Sequence, residues 1–184
     1  MNTIRYVIKL IPRFLGILFV LVLFANCEDD KKEKAPTGPP VISTFYLIRH
    51  AEKDLTDPDD MNPELDQDGY GRSIRWAELF DPVALDAIYS TDFQRTKMTA
   101  DPTSVKKNID ITFYQPSSLD VAEFITENKG KQVLVVGHSN TIPDLVNDLL
   151  GEQKYPQMDE DDYRSLFIVR MIDDKATDIH INMN

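Results

Sequence analysis

Two histidines follow apolar segments with the composition of buried strands. The segment FYLIRHAEK, residues 45–53, ends its apolar run at Arg49 and His50, and KQVLVVGHSN, residues 131–140, ends at His138 and Ser139. Alternating β-branched and aromatic residues predict strands, and ligands of open α/β sheets bind beyond the carboxyl ends of strands. If the two strands are parallel, both imidazoles lie at the same edge of the sheet.

A third segment, AIYSTDFQRTKMTA at residues 87–100, predicts a short strand, a capping Ser/Thr/Asp turn and a helix that carries Arg95. The planar guanidinium suits phosphate oxygens. A neutral imidazole near its ordinary pKa is a nucleophile toward phosphorus at neutral pH, provided that cations neutralise the phosphoryl oxygens. We therefore predict that His50, His138, Arg49 and Arg95 form a phosphate pocket that needs no metal.

In this order, the three motifs resemble those of the histidine phosphatase superfamily, in the phosphoglycerate mutase-like clan. Size and layout are most similar to its short bacterial phosphohistidine-phosphatase-like members. The resemblance covers residues 43–184. It implies an α/β fold, a three-layer α/β/α sandwich with a mostly parallel central sheet.

The resemblance also implies catalytic roles. His50 is the nucleophile and forms a phosphohistidine, Arg49 and Arg95 hold the phosphoryl group, and His138 completes the pocket. If protonated, His138 donates to a phosphoryl oxygen. Ser139 is a further candidate for substrate binding. The implied activity is a phosphatase that hydrolyses a phosphomonoester or phosphoramidate, with no cofactor.

Many superfamily members use an acidic residue near the pocket as the general acid for the leaving group. Asp120, Glu123 and Glu52 are the candidates here, and the sequence does not choose among them. Asp120 is also well placed to cap the helix predicted over residues 117–128.

Three other functions compete with hydrolysis through a phosphohistidine. A mutase is less expected, because a short chain leaves little room for the insertions that hold a transferable substrate. A metallohydrolase is weaker still, because the histidines and carboxylates lack a ligand spacing such as HExxH. A surface lipoprotein that binds a phosphorylated ligand or partner without turnover is the alternative from a different class.

The N-terminal residues 1–26 are typical of an export signal. Arg5, Lys9 and Arg13 precede an apolar run, residues 14–25, that is short for a membrane span. Cys27, the only cysteine, resembles the lipidated first residue of a mature bacterial lipoprotein, although Asn26 replaces the small residue usual before it. An uncleaved anchor helix with an incidental cysteine is the alternative.

Residues 27–40 are charged and then Pro-rich, which predicts a lipidated flexible tether, and residues 41–184 form the predicted domain. The formal net charge of −11 argues against nucleic acid or anionic lipid as a partner. We expect an exported protein that is anchored to the membrane by its lipid and acts on a small phosphorylated substrate. The sequence gives no indication of oligomeric state.

The other segments predict scaffold. A helix predicted over residues 65–80 opens with a segment that resembles the superfamily's Leu-x-x-x-Gly turn, and it carries Trp76 on its apolar stripe. Pro102 is expected to end or kink the helix of Arg95. A helix over residues 141–150 follows His138, and two paired edge strands, the second carrying His180, end the chain.

Overall fold

A six-stranded sheet forms the centre of the part of the chain that the computed structural model describes, residues 38–173 and 175–183. Its strand order is β3-β2-β4-β1-β5-β6. The strands are β1 Ile42–Arg49, β2 Ala87–Ser90, β3 Ile111–Phe113, β4 Gln132–Gly137, β5 Ser165–Ile172 and β6 Lys175–Asn182.

Four α-helices and one short 3₁₀ turn connect these strands. The helices are α1 Gln67–Leu79, α2 Gln94–Lys107, α3 Val121–Glu127 and α4 Thr141–Leu150, with the 3₁₀ turn at Pro116–Ser118.

The strands that precede the two histidines are parallel neighbours. In the register of β1 and β4, Arg49 lies opposite Gly137. β2 runs parallel to β4 on the other side, whereas β5 and β6 are antiparallel additions beyond β1. The predicted edge strands are confirmed, and the carboxyl ends of β1, β2 and β4 meet at one edge of the sheet.

Each face of the sheet has its own apolar core, which gives the three layers predicted. On one face, Phe124 and residues of α4 pack against β1 and β4. On the other face, Trp76 and Phe80 of the α1 region and Ala100 of α2 pack against β1, β2 and β4. Trp76 is 3% exposed, which confirms that it belongs to the core.

Two local predictions differ from the structure, and one is decided in part. Pro102 does not end α2, which continues to Lys107, so of the predicted end or kink only the kink stays a prediction. The N-cap of α2 is Phe93, with no side-chain hydrogen bond, so the Ser/Thr/Asp turn does not cap that helix. The helix predicted over residues 117–128 is split into the 3₁₀ turn and α3, because Asp120 accepts hydrogen bonds from two backbone N–H groups and starts a new helix.

The predictions of a signal peptide over residues 1–26 and of lipidation at Cys27 lie outside the described residues, as does the tether up to residue 37. Within the described ranges, no helix combines the length and apolar character needed to cross a bilayer.

The predicted Leu-x-x-x-Gly turn places the start of α1 directly on the strand-end loop that carries Glu52. Asp66 caps α1 by accepting a hydrogen bond from the Gly69 N–H at 2.7 Å, and its own N–H donates to the Glu52 carbonyl at 3.1 Å. A Cβ atom at Gly69 would lie 2.1 Å from that carbonyl oxygen. The glycine therefore permits a backbone contact that supports the segment following His50.

We expect Gly69→Ala to lower the free energy of unfolding by about 1–3 kcal/mol, because the methyl group forces α1 away from Glu52. Gly71→Ala is the matched control on the same helix, since a Cβ there meets nothing closer than 3.4 Å. It should stabilise the protein by up to about 1 kcal/mol through helix propensity. Urea unfolding of both variants measures the difference, and equal stabilities would show that the contact is not restrictive.

Candidate active site

The structure brings the two predicted histidines into contact range at the carboxyl edge of the sheet. His50 is the first residue after β1, and its N–H donates to the Gly137 carbonyl at 2.9 Å. His138 is the first residue after β4. The centroids of their rings are 5.4 Å apart, which is the proximity that two parallel strands predict.

The hydrogen bond of His50 defines which of its nitrogens is free. Nδ1 lies 2.8 Å from the Ala51 carbonyl oxygen. Because a carbonyl only accepts, Nδ1 carries the hydrogen and Nε2 keeps its lone pair. The His50 side chain is therefore held as one tautomer with Nε2 available for attack.

Burial lowers the pKa of His50 to about 3. The Ala51 hydrogen bond opposes this shift, while the positive charges of Arg49 and Arg95 add to it, followed by His138. The residue is 3% exposed. His50 is thus neutral, and nucleophilic, across the whole neutral range.

His138 is neutral for related reasons. Its Nδ1 lies 3.5 Å from Nη2 of Arg95, and its Nε2 lies 2.9 Å from Oγ1 of Thr91. The guanidinium only donates, so Nδ1 accepts and Nε2–H donates to Thr91. Burial, then Arg95, Arg49 and Lys53, lowers the pKa of His138 to about 4.

The expectation of imidazoles near their ordinary pKa is therefore wrong for His50 and His138. The condition that His138 be protonated is not met in the free protein at neutral pH. Desolvation and the two guanidinium groups are the cause, and neither can be read from spacing. A phosphoryl dianion bound next to His138 would favour its protonated form.

Arg49 is buried, and a segment that the sequence analysis missed holds it. This segment, residues 159–163, is here called the acidic loop. Nη1 donates to the Asp159 carbonyl at 3.0 Å and, more weakly, to the Asp162 carbonyl, and Nη2 donates to the Glu160 carboxylate at 2.9 Å. The Tyr163 ring lies 4.4 Å from the guanidinium carbon. The sequence DEDDY predicts an acidic loop, but it does not predict that this loop contacts Arg49.

Ser139 belongs to the same cluster. Its hydroxyl donates to Glu160 at 2.8 Å, so one carboxylate bridges two residues predicted to bind the phosphoryl group. The hydrogen bond from Ser139 lowers the pKa of Glu160 against its partial desolvation, with further lowering by Arg49. Glu160 is ionised at neutral pH, and its side chain is 78% exposed while it contacts the buried Arg49.

Arg95 keeps more of its donors available. Its guanidinium lies 4.4 Å above the Phe93 ring, and its Nε is buried without a hydrogen-bond partner among the described residues. Burial, with a contribution from Arg49, lowers its pKa. Unsatisfied donors beside His138 are what an incoming oxyanion requires.

The three predicted general acids are not brought together by the fold. Arg72 binds the Glu52 carboxylate with Nε at 2.8 Å and 2.9 Å from its two oxygens. Asp120 caps α3. Glu123 is exposed on α3 and does not line the cavity next to His138. The role of each as an acid stays a prediction.

A cavity of about 450 Å³ opens beside His138 and Arg95. Its walls combine the β2–α2 turn, the segment after β3 and one side of α4. Thr91 and Phe93, with Tyr114, were not singled out by the sequence analysis as site residues. The ionisable residues that line it are Arg95, His138, Tyr114, Asp144 and Asp148.

The remaining histidine lies elsewhere. His180 on β6 stacks on Phe167 with centroids 4.3 Å apart and bonds to the Ser165 hydroxyl, which confirms its interpretation as a strand residue. Within residues 38–173 and 175–183, no group of three or more His, Cys, Asp or Glu side chains is arranged to hold a metal ion.

The lowered pKa of His50 predicts a loss of stability in acid. Its folded pKa lies below the unfolded value of 6.5, so the unfolded chain binds the extra proton and stability falls as pH drops below about 6.5 toward 3. Between pH 7 and pH 5 we expect a loss of about 2 kcal/mol from this group. Denaturant unfolding of His50→Gln should show a shallower decline than the wild type over this range. An equal decline of stability with pH in the two proteins would contradict the lowered pKa of His50.

The acidic loop leads to a prediction about anion binding. A phosphoryl dianion that reaches Arg49 must approach the Glu160 carboxylate, so Glu160→Gln should bind inorganic phosphate about 5-fold more tightly by removing repulsion. Asp159→Asn is the matched control, because Asp159 contacts Arg49 only through its backbone carbonyl. Calorimetry measures the affinity of both variants for inorganic phosphate. Weaker binding by Glu160→Gln would instead mean that Glu160 positions Arg49 for the anion.

The strand order and layers define the fold class as an α/β sandwich of the phosphoglycerate mutase-like kind. Residues 45–115 match the family model of the histidine phosphatase superfamily (branch 1). This match covers the motifs of Arg49, His50 and Arg95 and ends before the strand that leads to His138. No curated protein sequence is significantly similar to the chain.

Solved structures share the fold at low sequence identity. A mycobacterial glucosyl-3-phosphoglycerate phosphatase aligns with a TM-score of 0.59 and 13% identity, covering 78% of this chain and 100% of that one. The protein histidine phosphatase SixA complexed with tungstate gives 0.60 and 18%, covering 76% and 96%. A phosphoserine phosphatase variant from Entamoeba histolytica, in complex with phosphoserine, gives 0.58 and 13%, covering 76% and 96%. Identities this low establish the fold alone.

Proposed function

We propose that the domain is a phosphatase that hydrolyses a phosphomonoester or phosphoramidate through a phosphohistidine on His50. The observation that carries this proposal is the convergence of two neutral imidazoles, 5.4 Å apart, with two guanidinium groups at one sheet edge. A neutral, desolvated Nε2 beside fixed cations is the arrangement that attack on a phosphoryl dianion needs.

In the first step, the Nε2 lone pair of His50 forms a bond to phosphorus while the bond from phosphorus to the leaving oxygen or nitrogen breaks. The leaving atom takes a proton from solvent or from an acid. Arg95 and Arg49 stabilise the charge on the phosphoryl oxygens, and His138 donates a hydrogen bond once the dianion has raised its pKa.

In the second step, water attacks phosphorus from the side opposite Nε2, and the P–N bond breaks. Inorganic phosphate leaves, the water proton passes to solvent, and His50 returns to its neutral tautomer with hydrogen on Nδ1. The Ala51 carbonyl holds that hydrogen throughout, which keeps Nε2 as the reacting nitrogen.

Proteins of similar fold support phosphatase activity in general. SixA is complexed with tungstate, a tetrahedral oxyanion like phosphate, and the other two solved structures named above are phosphatases. We infer a related oxyanion site in this chain from its own four residues.

The deciding experiment is capture of the intermediate. Brief incubation of the full chain with a ³²P-labelled generic phosphate ester, then denaturation in alkali, should yield a phosphorylated protein that loses its label in acid. The label should map to the peptide that contains His50. Turnover without an acid-labile phosphoprotein would refute the proposed mechanism, and persistence of turnover in EDTA would separate it from a metallohydrolase.

One observation favours a second function, binding of a phosphorylated ligand without turnover. Glu160 of the acidic loop forms a hydrogen bond with Arg49, so this guanidinium is already bound to an anion. Each of the three predicted general acids is bound to another group or does not line the cavity. In that case the wild-type chain binds phosphate but releases none from any ester tested.

We further propose that the protein is exported and anchored through a lipid on Cys27, on the basis of the sequence of residues 1–27. Cys27→Ser should move the protein from the membrane fraction to the soluble fraction and abolish incorporation of labelled fatty acid. Unchanged membrane association with no incorporation in the wild type would indicate an uncleaved anchor helix.

A further inference from the structure

The cavity beside His138 has a cationic end and an anionic wall. Arg95 and His138 mark the end at which the phosphoryl group is proposed to bind. Asp144 and Asp148 of α4 line the other part, and both are exposed. No Lys or Arg other than Arg95 lines the cavity. A carboxyl-bearing ligand would therefore meet repulsion along α4.

The carboxylates of Asp144 and Asp148 share one face of α4 and form no salt bridge with a described residue. They are four residues apart, so they lie on the same face of the helix. Among the described residues, neither forms a salt bridge. With a rise of about 1.5 Å per residue, they lie about 5 Å and 10 Å along α4 from its start at Thr141, next to the phosphoryl end.

An unpartnered buried hydroxyl in the same wall independently points to a polar ligand. Tyr114 is 9% exposed, and its hydroxyl is buried with no hydrogen-bond partner among the described residues. Gly137 leaves room for it, since a Cβ there would lie 2.9 Å from the hydroxyl oxygen. An unsatisfied buried hydroxyl costs about 1–3 kcal/mol. Because this hydroxyl has no exposed surface, a ligand donor recovers that cost when the Tyr114 ring turns toward the cavity.

Five further residues of the wall are apolar or aromatic, beside the neutral polar residues Thr91, Ser117, Asn140 and Thr141. Such surfaces hold alkyl chains, and aromatic faces attract ammonium groups. The apolar lining residues are Phe93, Pro116, Leu119, Val121 and Leu145.

We propose that this cavity selects substrates whose leaving group is an alkyl or aryl frame carrying an ammonium cation, such as the phosphate esters of amino alcohols. The ammonium would bind Asp144 and Asp148 and donate to Tyr114, while the phosphoryl group binds Arg95. The hydrolytic role of the site rests on the function proposed above, whereas the binding preference can be measured without it.

The test is calorimetry on the full chain carrying His50→Ala, so that the probes stay intact. Three probes of matched length are 4-aminobutyl phosphate, butyl phosphate and 3-carboxypropyl phosphate. We expect the amine to bind about 5- to 20-fold more tightly than butyl phosphate, from two exposed ion pairs and the aromatic contact. The carboxylate should bind most weakly.

Matched variants assign the preference to the cavity. Asp144→Asn with Asp148→Asn should reduce the ratio of the two affinities, amine over butyl phosphate, to within about 2-fold. The ratio is the readout because the loss of two carboxylates strengthens the binding of both phosphate dianions alike. Asp110→Asn removes an exposed carboxylate outside the cavity and should change nothing. Tyr114→Phe should weaken only the amine, by about 3-fold.

Equal affinities for the amine and butyl phosphate, or tighter binding of the carboxylate, would overturn the inference. A wild-type chain that prefers the amine but hydrolyses neither it nor p-nitrophenyl phosphate would refute the proposed function and leave the inference standing. Hydrolysis of all three probes with equal kcat/KM would support the proposed function and overturn the inference about substrate preference.

Discussion

His50→Ala is expected to lower kcat for p-nitrophenyl phosphate by at least about 10³-fold, because the variant lacks the atom that forms the bond to phosphorus. No other described imidazole is placed to substitute, since Nε2 of His138 is bound to Thr91. Steady-state kinetics with the purified full chain measures the loss, and alkaline gels should show no acid-labile phosphoprotein.

His180→Ala is the matched control for that loss, because His180 lies on β6 in contact with Phe167 and Ser165 rather than with the cavity. It should retain kcat within about 2-fold wherever the protein is folded. Circular dichroism and unfolding of both variants separate loss of chemistry from loss of fold. Full turnover by His50→Ala would remove the nucleophile from the mechanism.

The second large effect is expected at Arg95. Arg95→Ala should lower kcat/KM by about 10²–10³-fold, because it removes a preorganised donor pair from the phosphoryl oxygens in a partly desolvated site. Arg95→Lys should recover only part of that loss, since an ammonium keeps the charge but not the planar fork. The contact of the guanidinium with the Phe93 ring holds the fork in place.

Arg75→Ala provides the control for Arg95, because Arg75 is an exposed arginine on α1 that does not line the cavity. We expect its kcat/KM to stay within about 2-fold of the wild type. The affinity for inorganic phosphate should fall in Arg95→Ala and not in Arg75→Ala. An Arg95→Ala variant with wild-type kcat/KM would mean that Arg49 alone binds the phosphoryl group, and the proposed transition-state contacts would be wrong.

Short-range patterns predicted most of the framework. The apolar runs before His50 and His138 become neighbouring parallel strands, and helix 141–150 is found at its predicted bounds. These succeed because strand and helix periodicity are local properties, and because parallel strands deliver their carboxyl ends to one edge. Pro102 shows the limit of such patterns, since α2 tolerates it within its second half.

The sequence by itself determined the fold class and the four residues that converge, because each follows a strand or opens a helix whose order along the chain sets its place at the sheet edge. Only the tertiary structure decided the protonation of His50 and His138, the contact of Glu160 with Arg49 across 111 residues of chain, and the charges along the cavity wall. Burial and contacts between distant segments are created by packing, so no local pattern encodes them.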